Sequence, residues 1–387
     1  MPALTPSFTF DFESSMQAIT ENEFVRLIAS GNLWWRKVAR VRPTGKKRDI
    51  IAWLLSTAQI YDAGISGGNM KFDDMAATYQ EYDVRNSAAG LKLTRNQIED
   101  NDGDGFDFAS EWSSQMGAKM AYWPQAQVAN FIMNGAMTAA QTPQGPIPYG
   151  AGPNGTGLNI AYDGVQFFAD NLVNSGNGHP LNQFKTGAGK YFNWFHGAAS
   201  GVYPGALPID ESVGIDVALT NLQKATAYIA SIKMPDGVTP RFLKPVVMLH
   251  APRLAARAQT LNKADFIGLG TGSAGAGSAT ADIRGIIKKW GYAEPIEAQE
   301  FAGITLPDGA NADTTWYLIC QEMTTTQLGG LVYVDREPYR ITYYTGTGGG
   351  TGVDAVLDRA RELEWHLQGR NLLGPGHPFT VFRFDAS

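Results

Sequence analysis

Asp100, Asp102, Asp104 and Gly105, with Glu111 after five intervening residues, match the spacing of a calcium-binding loop. Carboxylates at alternate positions, a glycine at the sharp turn and a closing glutamate can wrap a hard divalent cation in oxygen ligands. The context points elsewhere. A calcium loop of this kind follows a helix, but the preceding LKLTRNQ alternates as a strand does. Asp107 fills the eighth loop position, where an apolar residue normally ties the loop to a partner, and no second copy of the loop exists in the chain. The architectural alternative is an acidic corner that caps the following helix, whose N-terminal end favours carboxylates.

Other chemical motifs are sparse. Gly270-Thr271-Gly272-Ser273-Ala274-Gly275 fits a dinucleotide-binding pattern, but no clear buried strand precedes it, which suits a flexible loop. Asn154-Gly155-Thr156 is a glycosylation sequon, relevant only on secretion. His179, His196, His250, His366 and His377 show no close metal-ligand spacing and are expected to be structural or surface residues. Cys320, in the apolar run TWYLIC, is expected to be a small core hydrophobe. No nucleophile elbow, phosphate loop or zinc-protease helix motif is present, so no enzyme, cofactor or metal site is expected.

The elements that would carry these residues come in a definite order. Residues 1–20 read as irregular. Thr20 and Glu23 form a capping-box pattern for a short helix that Gly31 ends. The basic stretch NLWWRKVARVRPTGKKR reads as an arm, either solvated or lying on a neighbouring subunit. Residues 50–95 alternate through YQEYDVRN and LKLTRN and suggest a long two-stranded excursion with no core of its own. From Phe106 the period becomes helical, with Trp112, Met116, Met120 and Trp123 on one face and Pro124 expected to break or kink the helix.

A glycine- and proline-rich region, 141–205, separates this from a second unit. Ile215, Leu219, Leu222, Ile229 and Ile232 mark an amphipathic helix, and Asp236-Gly237 a turn. Val246–Leu249 reads as a buried strand, and Pro252 opens another helix. A short helix near Ile283–Trp290 and the strands TWYLIC and LVYVD follow. ELEWHLQGR and FTVFRF flank a turn and could pair as a hairpin. Strands and helices mixed in this order imply an α+β chain.

Composition bounds the function. The 387 residues allow two or three domains. The opening MPALTPSFTF lacks the basic start and apolar run of an export signal, and no run is long enough to span a bilayer, so a soluble protein made in a cytoplasm is expected. Net charge is −6, which argues against sequence-specific nucleic-acid binding. Charged residues make up only 18% of the chain, and glycine numbers 44. A surface poor in charge suits a protein that buries its exterior against copies of itself.

Taken as an ordered series, these segments resemble tailed-bacteriophage major capsid proteins, most nearly the Mu-type major head subunit family. YDVRNSAAGLKLTRNQIEDNDGDGF is similar to that family's strand, R-x-x-I-E-D-D, glycine-aromatic signature. The helix bearing MAYWPQAQVANFIMNG follows in order. AYDGVQFFADN and then His179-Pro180 resemble its Y-D-G-x-x-F-F … H-P element. Leu222 to Leu261, TWYLIC and EWHLQGRNLLGPGHPF have counterparts as well, so the resemblance runs over roughly residues 50–387, with 172–208 longer than expected.

The resemblance implies the Hong Kong 97-type capsid fold. It would comprise an N-terminal arm (1–49), an extended loop (50–95) and a peripheral domain with a spine helix (96–204). An axial domain (205–335) and C-terminal strands returning to the peripheral domain (336–387) would complete it. It further implies a non-enzymatic shell subunit in the virion, assembled in the host cytoplasm into hexamers and pentamers. Scaffold, portal and decoration proteins would be its partners, and double-stranded DNA would be enclosed without sequence-specific contact or membrane. A nanocompartment shell of the same fold, and a calcium-binding protein using Asp100, Asp102, Asp104 and Glu111, are the alternatives. Lys71 and Lys92 fall in the expected extended loop, with nothing in the sequence to make them reactive.

Overall fold

A computed structural model describes residues 6–30, 33–54, 77–94, 108–137, 160–170, 178–180, 189–199, 204–235, 237–263, 293–322, 329–344 and 362–387. The chain opens with helix α1 (Pro6–Ala29) and strands β1 (Ala39–Pro43), β2 (Arg48–Leu54), β3 (Ala77–Asp83) and β4 (Arg85–Thr94). Helix α2 (Phe108–Asn134) and three short strands follow: β5 (His179–Pro180), β6 (Lys190–Tyr191) and β7 (Trp194–Phe195). Next come α3 (Ile215–Ser231), β8 (Leu243–His250), α4 (Ala255–Lys263) and β9 (Glu294–Glu297). The chain ends with β10 (Trp316–Glu322), β11 (Leu331–Tyr344), β12 (Glu362–Pro375) and β13 (Val381–Phe384). The fold is α+β.

Two sheets organise it. A four-stranded sheet has the order β1-β11-β12-β4, and a five-stranded sheet the order β7-β13-β10-β8-β9. Alternation along β10 explains the second. Tyr317 and Ile319 enter a core shared with α2 and with β11, while Trp316, Leu318 and Cys320 face α3 and α4. A central strand covered on both faces reads as a continuous apolar run, which is why TWYLIC is so hydrophobic. The spine α2 crosses the long strands β11 and β12 and drives Val128, Phe131, Ile132 and Met133 into the shared core.

Several expectations hold. The amphipathic helix is α3, the buried strand is β8, and Pro252 opens the one-turn helix that runs into α4. Gly237 takes φ +75°, the left-handed turn conformation glycine permits. The helix expected near Ile283–Trp290 and the loop Gly270–Gly275 lie outside the described residues.

Other expectations are corrected. The N-terminal segment is helical from Pro6, so Thr20 sits within α1 rather than at its start. It is buried, and its hydroxyl donates to the Ser113 carbonyl of α2 at 3.1 Å. The basic stretch is no free arm. Trp34 and Trp35 are buried in the core, β1 pairs in parallel with β11, and Lys37, Arg42 and Arg48 pair with Glu294, Asp49 and Asp83. Burial of two large aromatics outweighs the polarity of their neighbours.

Pro124 lies inside α2, which continues through it. Packing against the two long strands holds the helix where propensity alone would end it. The two C-terminal segments do not pair as a hairpin: β12 lies between β11 and β4, and β13 joins β10 and β7 in the other sheet. The final strand thus belongs with the strands of the expected axial unit.

Helices α1 and α2 meet at Gly117. A Cβ there would stand 2.5 Å from the Thr20 carbonyl oxygen and 3.0 Å from the Glu23 Cβ, mostly backbone that cannot yield. Gly117→Ala should therefore destabilise the protein by about 1–3 kcal/mol through overpacking. Thermal unfolding with limited proteolysis within 20–30 checks it, the expected result being a lower midpoint and earlier cleavage of α1.

Candidate functional site

The segments that carried the resemblance come together where the spine helix ends. Gly135, just past α2, has no side chain because the Phe168 ring lies against it; a Cβ would stand 2.5 Å from that ring. The Phe168 N–H donates to the Gly135 carbonyl at 3.1 Å, and Phe167 meets Phe131 edge-on at 5.0 Å between ring centres. The loop 160–170 is thereby wedged against the spine.

His179 pins this loop from the other side. Its Nδ1 lies 2.7 Å from an Asp163 carboxylate oxygen and its Nε2 3.1 Å from the Phe167 carbonyl. The two side chains are 0% and 1% exposed. Both ring nitrogens are thus engaged, one by a carboxylate oxygen and one by a backbone carbonyl. Tyr191 stacks on the ring at 5.2 Å. A second pair, His196 with Asp170 at 2.8 Å, fastens the same loop nearer the surface.

Sequence reasoning missed the residue at the centre. Asn193 is fully buried, and its amide nitrogen lies within hydrogen-bonding reach of the Phe167, Pro378 and Val381 carbonyls at 2.7, 3.0 and 3.2 Å. Its oxygen accepts from the Ala169 N–H at 2.7 Å. A lone asparagine in a glycine-rich stretch carries no sequence signal for such a role. Arg383, equally unexpected, is buried with its guanidinium bonded to Asp385 at 3.0 Å through both Nε and Nη2 and paired with Asp308 at 2.6 Å. Burial works against its charge, but the two carboxylates outweigh it and raise the pKa.

The β2–β3 ribbon forms a different kind of site. Its inner face, Asp49, Ile51, Gln80 and Tyr82, is buried, and Ile51 and Tyr82 join Val332, Val334 and Leu372 of the four-stranded sheet in a small cluster. The Tyr82 hydroxyl donates to the Pro375 carbonyl at 2.5 Å, and its ring lies flush on Gly374. The base of the excursion therefore does share a core, contrary to the coreless hairpin expected. The outer face is open: Ile50 is 51% and Tyr79 63% exposed. β4, the other half of the expected excursion, pairs with β12 instead.

Asp100, Asp102, Asp104 and Gly105 lie outside the described residues. Glu111 stands in the first turn of α2 and accepts from Gln115 at 3.0 Å. Among the described residues no cluster of acidic, histidine or cysteine side chains could hold a metal. Lys71 also lies outside; Lys92 is on β4 opposite Glu364. Cys320 is buried and burial pushes its thiol pKa up, which leaves it a packing residue. His250 is buried with Nδ1 2.9 Å from the Ala251 carbonyl oxygen.

No protein-family model matches the chain, and no curated protein matches it. Among solved structures it is similar to a chain of the bacteriophage PhiM1 mature capsid, with 10% identity and TM-score 0.47 over 91% of this chain and 86% of that one. The capsid of cyanophage P-SCSP1u gives 12% identity and TM-score 0.46 over 90% and 86%. The procapsid of bacteriophage JBD30 gives 14% identity and TM-score 0.43 over 99% and 76%.

Removing one member of a buried hydrogen bond leaves the other unsatisfied. Asp163→Ala should cost about 1–3 kcal/mol, against less for Asp170→Ala at the more exposed pair. Denaturant unfolding of the two variants measures the difference.

Proposed function

We propose that this chain is a major capsid protein of the tailed-bacteriophage kind, many copies of which close into an icosahedral shell around packaged double-stranded DNA. One observation carries the proposal. The spine helix, the Y-D-G-x-x-F-F piece and the H-P piece, which resemble the family in sequence order alone, meet in space, the first two through Gly135–Phe168 and the last two through Asp163–His179. Motifs that match by chance have no reason to satisfy one another's buried polar groups.

The architecture supports the same assignment. A long helix lies across a sheet of long strands, as a peripheral domain with its spine would. A separate sheet, sandwiched between α3 and α4 on one face and the shared core on the other, suits an axial domain built from α3, β8, α4, β9 and β10 and joined by β7 and β13. The β2–β3 ribbon suits the start of an extended loop, and α1 the N-terminal arm. Within the basic stretch, Lys37, Arg42 and Arg48 are paired with Glu294, Asp49 and Asp83 of this same chain. Scaffold and portal proteins would be partners of such a subunit, and the assembled virion its location.

Contacts between copies would need apolar surface that the isolated subunit leaves uncovered. The outer face of the ribbon, Ile50 and Tyr79 above all, offers it. Tyr79→Asp should leave the thermal midpoint of the subunit within about 0.5 kcal/mol equivalent of the parent, because the side chain touches solvent. It should strongly reduce conversion into large particles. Sedimentation velocity of both proteins under assembling conditions checks this. Equal particle yields would remove the ribbon from the assembly interface, and a parent chain that stays monomeric with or without scaffold would overturn the shell itself.

A further inference from the structure

Beyond α3 the chain makes a short hairpin before it enters β8. The Arg241 N–H donates to the Ile232 carbonyl at 3.0 Å and the Met234 N–H to the Thr239 carbonyl at 2.7 Å, with Lys233 bridged to Pro240 between them. Alternation gives the hairpin two faces. Ile232 and Leu243 are buried, and Arg241 lays its guanidinium on the Phe379 ring, 3.5 Å from the ring centre. That inner face fixes the hairpin to its own subunit. The residues that alternate with these, Lys233, Pro240, Phe242 and Lys244, are exposed, and Val238 at the turn is 72% exposed.

Phe242 has φ +54°, a left-handed conformation that a bulky residue adopts at a cost and glycine without one. Its ring is 54% exposed, so it adds little to the core of its own subunit. Strain that the subunit does not use points to a contact outside it. The opposite end of α3 has a matching character. Val217 is 42% exposed in the first turn, with Asp216 exposed next to it and Glu211 exposed just before the helix. The helix dipole accounts for a carboxylate there, but not for the exposed valine. α3 has 17 residues, so its two ends stand about 25 Å apart. One end presents apolar surface flanked by lysines, the other apolar surface flanked by carboxylates.

We infer that these two ends bind each other in successive copies of the chain, head to tail: the hairpin of one copy, with Phe242 as its aromatic anchor, docks on the start of α3 in the next. The inference rests on the reading that copies of the chain assemble, and it names one surface through which they do so. Charge selects the occupant. The chain carries a net charge of −6, so another copy attracts a lysine-flanked patch. A two-fold pair of hairpins would oppose lysine to lysine, and a two-fold pair of helix starts carboxylate to carboxylate. Two α3 helices laid antiparallel would set Lys224, exposed near mid-helix, against its own copy. A contact between unlike ends avoids these oppositions and, repeated by rotation, closes a ring.

Sedimentation velocity of the full-length chain reads the protein concentration needed for half assembly. Lys233→Glu combined with Lys244→Glu should raise it about ten-fold, as should Glu211→Lys combined with Asp216→Lys, because like charges then face each other. An equal mixture of the two chains should return to within about three-fold of the parent, since reversed end then meets reversed end and unreversed meets unreversed. Phe242→Gly removes the ring and suits the backbone, so its thermal midpoint should equal or exceed the parent's. Its assembly concentration should still rise about ten-fold with the anchor gone. Reversed chains that assemble as the parent does, a mixture no better than its components, or a Phe242→Gly chain that assembles normally would each overturn the inference. So would a lower midpoint for Phe242→Gly, because the ring would then be serving its own subunit. Phe242→Gly decides the matter even if a reversed chain folds poorly. A parent that assembles while the variants match it sinks this contact alone, whereas a parent that never assembles sinks the shell reading and this contact with it.

Discussion

Asn193 spends its hydrogen-bonding capacity at the place where three distant stretches must meet. Its amide group reaches the loop after the spine helix at Phe167 and Ala169, and the start of the last strand at Pro378 and Val381. A buried amide is costly unless satisfied, so these segments are held in one arrangement or the centre of the molecule fails. Asp163 with His179, and Phe168 against Gly135, fix the same loop from two further directions. The end of the spine helix, through its loop, and the last strand of the five-stranded sheet are tied together at this knot.

A rigid centre has a consequence for the periphery. Whatever must adapt to neighbours has to lie outside it, and the ribbon does. Its inner face is nailed down through Ile51 and Tyr82, while Ile50 and Tyr79 remain open on the other side. Strand alternation alone separates the two duties, one face for the subunit and one for a contact beyond it. The same logic places tight glycines, Gly117, Gly135 and Gly376, wherever backbone meets backbone or ring and only hydrogen will fit.

Legibility in the sequence followed the range of the forces involved. α3, β8 and the helix start at Pro252 were readable because their pattern is local: periodicity, an apolar run, a proline at the first turn. The apolar run at β10 was readable too, since burial on both faces leaves no alternation to interpret. What failed was decided by distant partners. Trp34 and Trp35 looked like part of a basic arm because the core they enter comes from residues near 130, 250 and 330. Pro124 looked like a break because the sheet that holds the helix through it lies more than 200 residues away. β12 and β13 looked like a hairpin, yet a tight glycine pass sends them to different sheets. Of the site, the Y-D-G-x-x-F-F and His-Pro pieces were visible as motifs, but that Asp163 and His179 meet, and that Asn193 ties them to the C-terminus, depends on the folded path. The acidic spacing at Asp100, Asp102 and Asp104 lies outside the described residues, and only Glu111 of that set has a place here, on the spine's first turn.

The central claim is that many copies of this subunit build a closed shell. Electron microscopy of the purified full-length chain, expressed alone and with its scaffold, tests it most directly. The account predicts uniform closed particles of icosahedral symmetry, with the outer face of the β2–β3 ribbon covered by a neighbouring copy. Monomers or irregular aggregates under every condition, or closed particles in which Ile50 and Tyr79 face open solvent, would contradict it.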